Sequence, residues 1–123
     1  MNYFKDWEFS CKCNCGKNNM QYETKLMLDV ARWKADVEFV INSGCRCEEH
    51  NKRVKGSPNS SHLKGLAVDI RYRDEKERFK IIEGLLYAGF KRIGIGGDYI
   101  HADNDKSKTA GVIWLYDEVV KWV

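Results

Sequence analysis

Two imidazoles and a carboxylate, His62, Asp69 and His101, are the residues of this chain whose types suit a metal ion. Zinc accepts imidazole nitrogen and carboxylate oxygen, and three protein ligands with one position left open is its catalytic arrangement. Bound there, zinc brings the pKa of a water molecule down to about 7 and so supplies hydroxide at neutral pH. His62 closes a polar loop, Asp69 falls within an alternating run and His101 follows on a later strand-like segment. In the stretch Ser60-Ser61-His62-Leu63-Lys64-Gly65-Leu66-Ala67-Val68-Asp69, Gly65 lets the backbone turn sharply. Ala67 leaves room on the face that Asp69 shares.

The elements that must hold these groups follow from periodicity. Residues 1–19 read as an irregular, cysteine-rich segment with a short helix or turn around Asp6 to Phe9. From Met20 to about Val37, Leu26, Val30, Trp33 and Val37 recur at helical steps, with Met27 and Ala31 widening the stripe. Glu38 to Ser43 alternates as a short strand ended by Gly44, and Glu48 to Lys55 reads as a short polar helix. Gly56-Ser57-Pro58-Asn59-Ser60-Ser61 is a loop signal. Leu66, Val68, Ile70 and Tyr72 alternate with Ala67, Asp69 and Arg71, a half-buried strand whose second face carries Asp69. Asp74 and Glu77 resemble a capping box. The helix they open carries Phe79, Ile82, Leu85 and Leu86 on one side and stops at Gly89. Strands are expected over Arg92 to Ile95, Tyr99 to Asp103 and Gly111 to Tyr116, with a tight turn at Gly96-Gly97 and a short helical tail. Helices and antiparallel-looking strands in mixed order predict a small α+β domain, an antiparallel sheet with flanking helices, spanning 1–123 without internal boundary.

Composition narrows the partners. At 123 residues, with 43% hydrophobic and 32% charged residues, the chain fits one domain with one core. No apolar run approaches the roughly 18 residues of a membrane span. No secretory signal precedes Trp7, so synthesis in the cytoplasm is expected. Net charge is +3 without a basic block or basic–aromatic stripe, which argues against nucleic acid and allows weak attraction to an anionic polymer such as a bacterial wall.

Residues 60–69 match every fixed position of Ser-x-His-x-x-Gly-x-Ala-x-Asp. Ser43-Gly44-Cys45-Arg46-Cys47-Glu48-Glu49-His50-Asn51 and Asp98-Tyr99-Ile100-His101-Ala102-Asp103 supply two further blocks. In these blocks the chain resembles the zinc D-Ala-D-Ala carboxypeptidases and murein endopeptidases, including phage endolysins, from about Phe9 to Tyr116. The resemblance implies a hedgehog-like fold, one catalytic zinc on His62, Asp69 and His101, and a peptidoglycan stem-peptide substrate. It makes Asp98 the general base, provided the chain bends between Asp98 and His101, since strict alternation would put them on opposite faces. Arg46 would bind the substrate's terminal carboxylate or polarised carbonyl, which its planar fork suits. Ser60 would touch substrate or shape the loop, Asp103 would orient a ligand or cap a turn, and His50 would be structural. Some relatives have a histidine where this chain has Gly96, and an aromatic residue where it has Cys45, which implies an altered cleft wall. The alternative is a non-catalytic zinc module of the hedgehog kind. Phage-type lysis enzymes, acting at the wall after lysis or release, are the expected setting.

Five cysteines, Cys11, Cys13, Cys15, Cys45 and Cys47, cannot all pair within one chain. Packing thiols, or a disulfide from the N-terminal segment to Cys47, are the leading expectation. A second zinc on Cys11, Cys13, Cys15 and Cys47 stays open, although one-residue gaps are unlike the usual spacing.

Overall fold

A computed structural model describes residues 2–116. The expected short turn is a 3-10 helix at Asp6–Phe9, and α1 follows at Tyr22–Ala35. Strand β1 (Val40–Ser43), helix α2 (Glu48–Arg53) and a 3-10 turn at Ser61–Lys64 lead to β2 (Ala67–Arg71). Helix α3 (Glu75–Tyr87) precedes β3 (Arg92–Ile95), β4 (Tyr99–Asp103) and β5 (Val112–Leu115). The predicted helical tail lies outside the described residues. None of the described helices is long and apolar enough to cross a membrane.

The strands form one sheet in the order β1-β2-β4-β3-β5. All neighbours run antiparallel except β3 and β5, which pair parallel, so the sheet is mostly antiparallel and the α+β expectation holds. The parallel pair is possible because β4 ends at Asp103 and β5 begins at Val112, both beside Arg92, so the connection passes over the start of β3 and β5 leaves in the direction of β3. Alternation then gives the sheet two different faces. Val68, Ile70, Ile93, Ile100 and Ala102 point to one side and are fully buried in the core with Leu28, Ala31, Ile81 and Leu85 of the helices. The residues between them, including Asp69 and His101, occupy the other side.

The buried stripes of the two long helices include the expected Ala31 and Leu85 but are rotated from the faces periodicity suggests. In α1 the buried positions are Thr24, Leu28, Ala31 and Ala35, while Leu26 and Trp33 are about half exposed, at 47% and 51%. In α3 they are Ile81, Gly84 and Leu85, while Phe79 and Leu86 face solvent. The reason is how closely the helices meet. A Cβ on Gly84 would run into the Ala31 carbonyl and sit 2.9 Å from the Ala35 methyl. Small residues define that seam, and hydrophobicity alone steers a reader to the larger residues beside it. The cap of α3 is as expected on one side: the Asp74 carboxylate accepts from the Glu77 amide at 2.8 Å. Glu77 accepts from the Arg73 amide and guanidinium, one residue earlier than a capping box requires.

Candidate active site

Asp69 and His101 lie directly opposite each other on the neighbouring strands β2 and β4. Sheet register therefore sets their separation, with Asp69 Oδ1 3.0 Å from His101 Nδ1. His62 arrives from the preceding 3-10 turn, and its Nε2 is 3.2 Å from the same Oδ1. That turn has its own supports. Ser60 caps it, its Oγ accepting from the His62 amide at 3.2 Å, and Gly65 ends it in left-handed backbone at φ 69. A side chain on Gly65 would also strike the Asn19 carbonyl, so only glycine fits. Below the turn, buried Asp105 accepts from Ser61 Oγ at 2.7 Å and pairs with Lys64 at 3.0 Å, fastening the turn to the segment after β4.

The outer nitrogens of both histidines are occupied. His62 Nδ1 lies 2.7 Å from the Gly44 carbonyl, which can only accept, so in the neutral ring Nδ1 carries the proton and Nε2 turns a lone pair toward Asp69, while in the charged ring Nε2 donates to it. His101 Nε2 lies 2.7 Å from Asp103 Oδ2, which directs its Nδ1 inward in the same way. Asp103 is itself held by the Arg92 guanidinium at 2.9 Å. The expected orienting role of Asp103 is thus present in the geometry.

Burial acts on these groups, and pairing outweighs it. Burial would raise Asp69, but hydrogen bonds from His101 and His62 hold its carboxyl well below the usual carboxylate range. Burial would lower His101, yet hydrogen bonds to Asp103 and Asp69 keep its pKa above that of ordinary imidazole. Asp103, also opposed by burial, is kept low by His101.

The three donor atoms lie within 4.8 Å of one another. Tetrahedral zinc with bonds of about 2.0–2.1 Å sets donors about 3.3 Å apart. The two separations to Asp69, 3.2 and 3.0 Å, come within a few tenths of that. A histidine lone pair facing a carboxylate oxygen, with no proton of its own to share, is a contact that a cation relieves. The residues present fit zinc.

Arg46 sits beside this set. Its Nη2 is 3.4 Å from Asp69 Oδ2, while Nε donates to Ser43 Oγ and Nη1 to Asn51 Oδ1, both at 3.1 Å. Asn51 is buried and in turn donates to the Ser57 carbonyl at 2.9 Å, a support that sequence reasoning missed within its own matched block. A cleft of about 370 Å³ opens over these groups, lined by Arg46, Ser60, His62, Asp69 and His101. Tyr99, Trp114 and Tyr116 form its aromatic wall, also not foreseen. The Trp114 ring centroid is 5.5 Å from that of His101, over Gly94, where a Cβ would meet the indole nitrogen at 2.6 Å. The signal for this wall was alternation: Tyr99, His101 and Asp103 share one face of β4.

Other expected residues fall elsewhere. Asp98 is exposed at the bend before β4 and does not line the cleft. Its carbonyl accepts from the Tyr72 amide at 3.0 Å, which continues the ladder in register. The Gly96 amide bonds the Tyr99 carbonyl at 2.8 Å, so Gly97 and Asp98 form the tip of the β3–β4 hairpin, and the chain does bend between Asp98 and His101. Cys45 is buried in the core, with its Sγ 3.6 Å from Asn18, so it does not alter the cleft wall. A side chain on Gly96 would run into the Tyr99 ring, so that aromatic residue takes the space. His50 stands outside the metal set, on α2.

A search of curated proteins finds no match. A family model described as Peptidase M15 matches residues 2–103, which takes in all three sequence blocks and both strands that carry Asp69 and His101. Convergent ligands on a matched scaffold make the assignment direct: this chain belongs to the M15 peptidases, the family of the zinc D-Ala-D-Ala carboxypeptidases.

Proposed function

We propose that the chain hydrolyses peptide bonds in peptidoglycan stem peptides, using zinc held by His62, Asp69 and His101. The observation that carries this reading is Arg46, fixed by Ser43, Asn51 and Asp69 so that its guanidinium stands next to the metal ligands in an open cleft. When bound, zinc supplies Lewis-acid polarisation and hydroxide at neutral pH. Arg46 binds the carboxylate or carbonyl oxygen of a short peptide, through N–H groups whose direction its three neighbours set. Tyr99, Trp114 and Tyr116 offer flat apolar surface to the substrate's side chains and backbone. The seat of Ser60 as a cap favours loop shaping over substrate contact.

Proton transfer is the step with two candidate carriers. The family resemblance assigns it to Asp98, which stands exposed at the hairpin tip three residues before His101. Tyr99 already lines the cleft beside His101. Removing a general acid–base group costs about 10²–10⁴-fold in rate. Whichever of Asp98→Asn and Tyr99→Phe shows that loss with zinc retained identifies the carrier. The setting we propose is a lysis enzyme of the endolysin kind, made in the cytoplasm and acting at the wall after lysis or release.

The test is digestion of purified peptidoglycan by zinc-loaded protein, with released fragments identified by mass. Wild type is expected to release stem-peptide fragments or D-alanine, and His101→Ala is not. Equal release by both would refute the enzyme reading and leave a zinc module; the fragment masses name the bond cut.

A further inference from the structure

The second cluster of metal-ligating side chains includes Cys47, the residue after Arg46. Cys11, Cys13, Cys15 and Cys47 bring their sulfurs within 4.8 Å of one another, and all are free thiols. Cys11 and Cys13 are 3.4 Å apart, Cys13 and Cys47 3.6 Å, and Cys11 and Cys47 3.9 Å. Tetrahedral zinc with four thiolates at about 2.3 Å requires sulfur–sulfur edges of about 3.8 Å. We propose that these four cysteines bind a second zinc ion, in a closed tetrathiolate site that is structural and separate from the catalytic one.

The spacing that counts against this in the sequence is explained by the backbone. Three ligands separated by single residues can converge only if the loop between them turns tightly. Asn14 at φ 67 and Gly16 at φ 88 do this, two residue types that tolerate left-handed backbone, and the Asn14 amide closes a turn on the Cys11 carbonyl at 3.3 Å. Cys47 completes the set from 32 residues beyond Cys15, at the start of α2. Backbone amides approach the sulfurs as they do around metal thiolates: Cys47 N–H to Cys11 Sγ and His50 N–H to Cys47 Sγ, each at 3.4 Å. Binding releases the thiol protons and leaves no position for water or substrate, which is what makes an all-cysteine site structural.

Its place in the fold gives it a task. The segment Gly44–Cys47 receives the His62 ring proton at Gly44, and the Arg46 amide bonds the His62 carbonyl at 3.1 Å. The Cys45 amide bonds the Phe9 carbonyl at 2.8 Å, so this segment already leans on the N-terminal 3-10 helix. A metal on Cys47 and the 11–15 loop would tie both together one residue beyond Arg46.

The experiment uses the full chain, prepared under reducing conditions, with zinc alone added and ions per chain counted by native mass spectrometry. Wild type is expected to hold two zinc ions, and both Cys13→Ser/Cys15→Ser and His62→Ala/His101→Ala one each. Cobalt in the wild type is expected to give thiolate-to-metal charge-transfer absorption that persists in the histidine double variant. A wild type with a single zinc and no such absorption overturns the proposal, and so do disulfides among these four cysteines in freshly prepared protein. The wild-type spectrum stands even where a variant fails to fold. The outcome is independent of peptidase activity, so failure here and failure of the enzyme reading are separate results.

Discussion

Asp103 is the clearest place to ask whether support behind a ligand matters. Replacing it by Asn keeps the shape and a carbonyl oxygen for His101 Nε2, now 2.7 Å from a carboxylate, but removes the charge. Hydrogen bonds to charged acceptors contribute about 1.5–3 kcal/mol and neutral ones about 0.5–1.5. The difference, about 1–1.5 kcal/mol, corresponds to roughly tenfold weaker zinc binding at the catalytic site. Asp103→Ala loses the bond altogether and leaves Arg92 without its partner at 2.9 Å, so roughly a hundredfold is expected, the upper end for groups that hold metal ligands. One effect works in the opposite direction. Asp103 also helps to raise the pKa of His101, so its removal lessens proton competition for Nδ1. The loss of affinity should therefore be largest near pH 8 and shrink toward pH 6, about two units across the ordinary imidazole pKa. The assay is competition with a chromogenic chelator at both pH values, in the Cys13→Ser/Cys15→Ser background so that only the histidine site is read. Arg92→Gln, which spares the His101–Asp103 bond, is the control and should change thermal stability more than affinity. If Asp103→Asn binds zinc within about twofold of its parent at both pH values, the reasoning is wrong and Asp103 serves only as Arg92's ion-pair partner.

Three further outcomes follow from the same geometry. Because the folded-state pKa of His101 is raised, its proton persists to higher pH, and zinc affinity in the unmutated site should fall about tenfold per pH unit on acidification, beginning above pH 6.5; isothermal titration across that range checks it. Arg46→Lys keeps the charge but not the three-way fixation by Ser43, Asn51 and Asp69, so kcat/KM should drop about a hundredfold (~2.7 kcal/mol) with zinc content unchanged. Gly94→Ala places a methyl 2.6 Å from the Trp114 indole nitrogen, which must swing away; near-ultraviolet circular dichroism should change and KM should rise, with the metal still bound.

How much of this could be read from the residues differs between layers of the structure. Strand positions were legible because a two-residue period is unambiguous: β3 and β4 match their expected spans, and Val68 and Ile70 face the core as alternation requires. The ligand set was legible because residue types and spacing survive in one dimension. Helix faces were not. In α1 and α3, Ala31, Ala35 and Gly84 make the contact, and small residues carry little hydrophobic signal while permitting the closest approach.

The sequence by itself determined which atoms are available: two imidazoles, a carboxylate, an arginine and several thiols, on elements of known period. Only the tertiary structure decided which of them meet. Cross-strand register put Asp69 opposite His101, and the hairpin closed by Gly96 and Tyr99 set Asp98 at the exposed tip before β4. The same long-range packing brought Cys47 to Cys11 and Cys13, and Trp114 to His101. These are contacts between residues more than ten apart in the chain, set by how the sheet pairs and where the loops return, and local spacing carries no record of that.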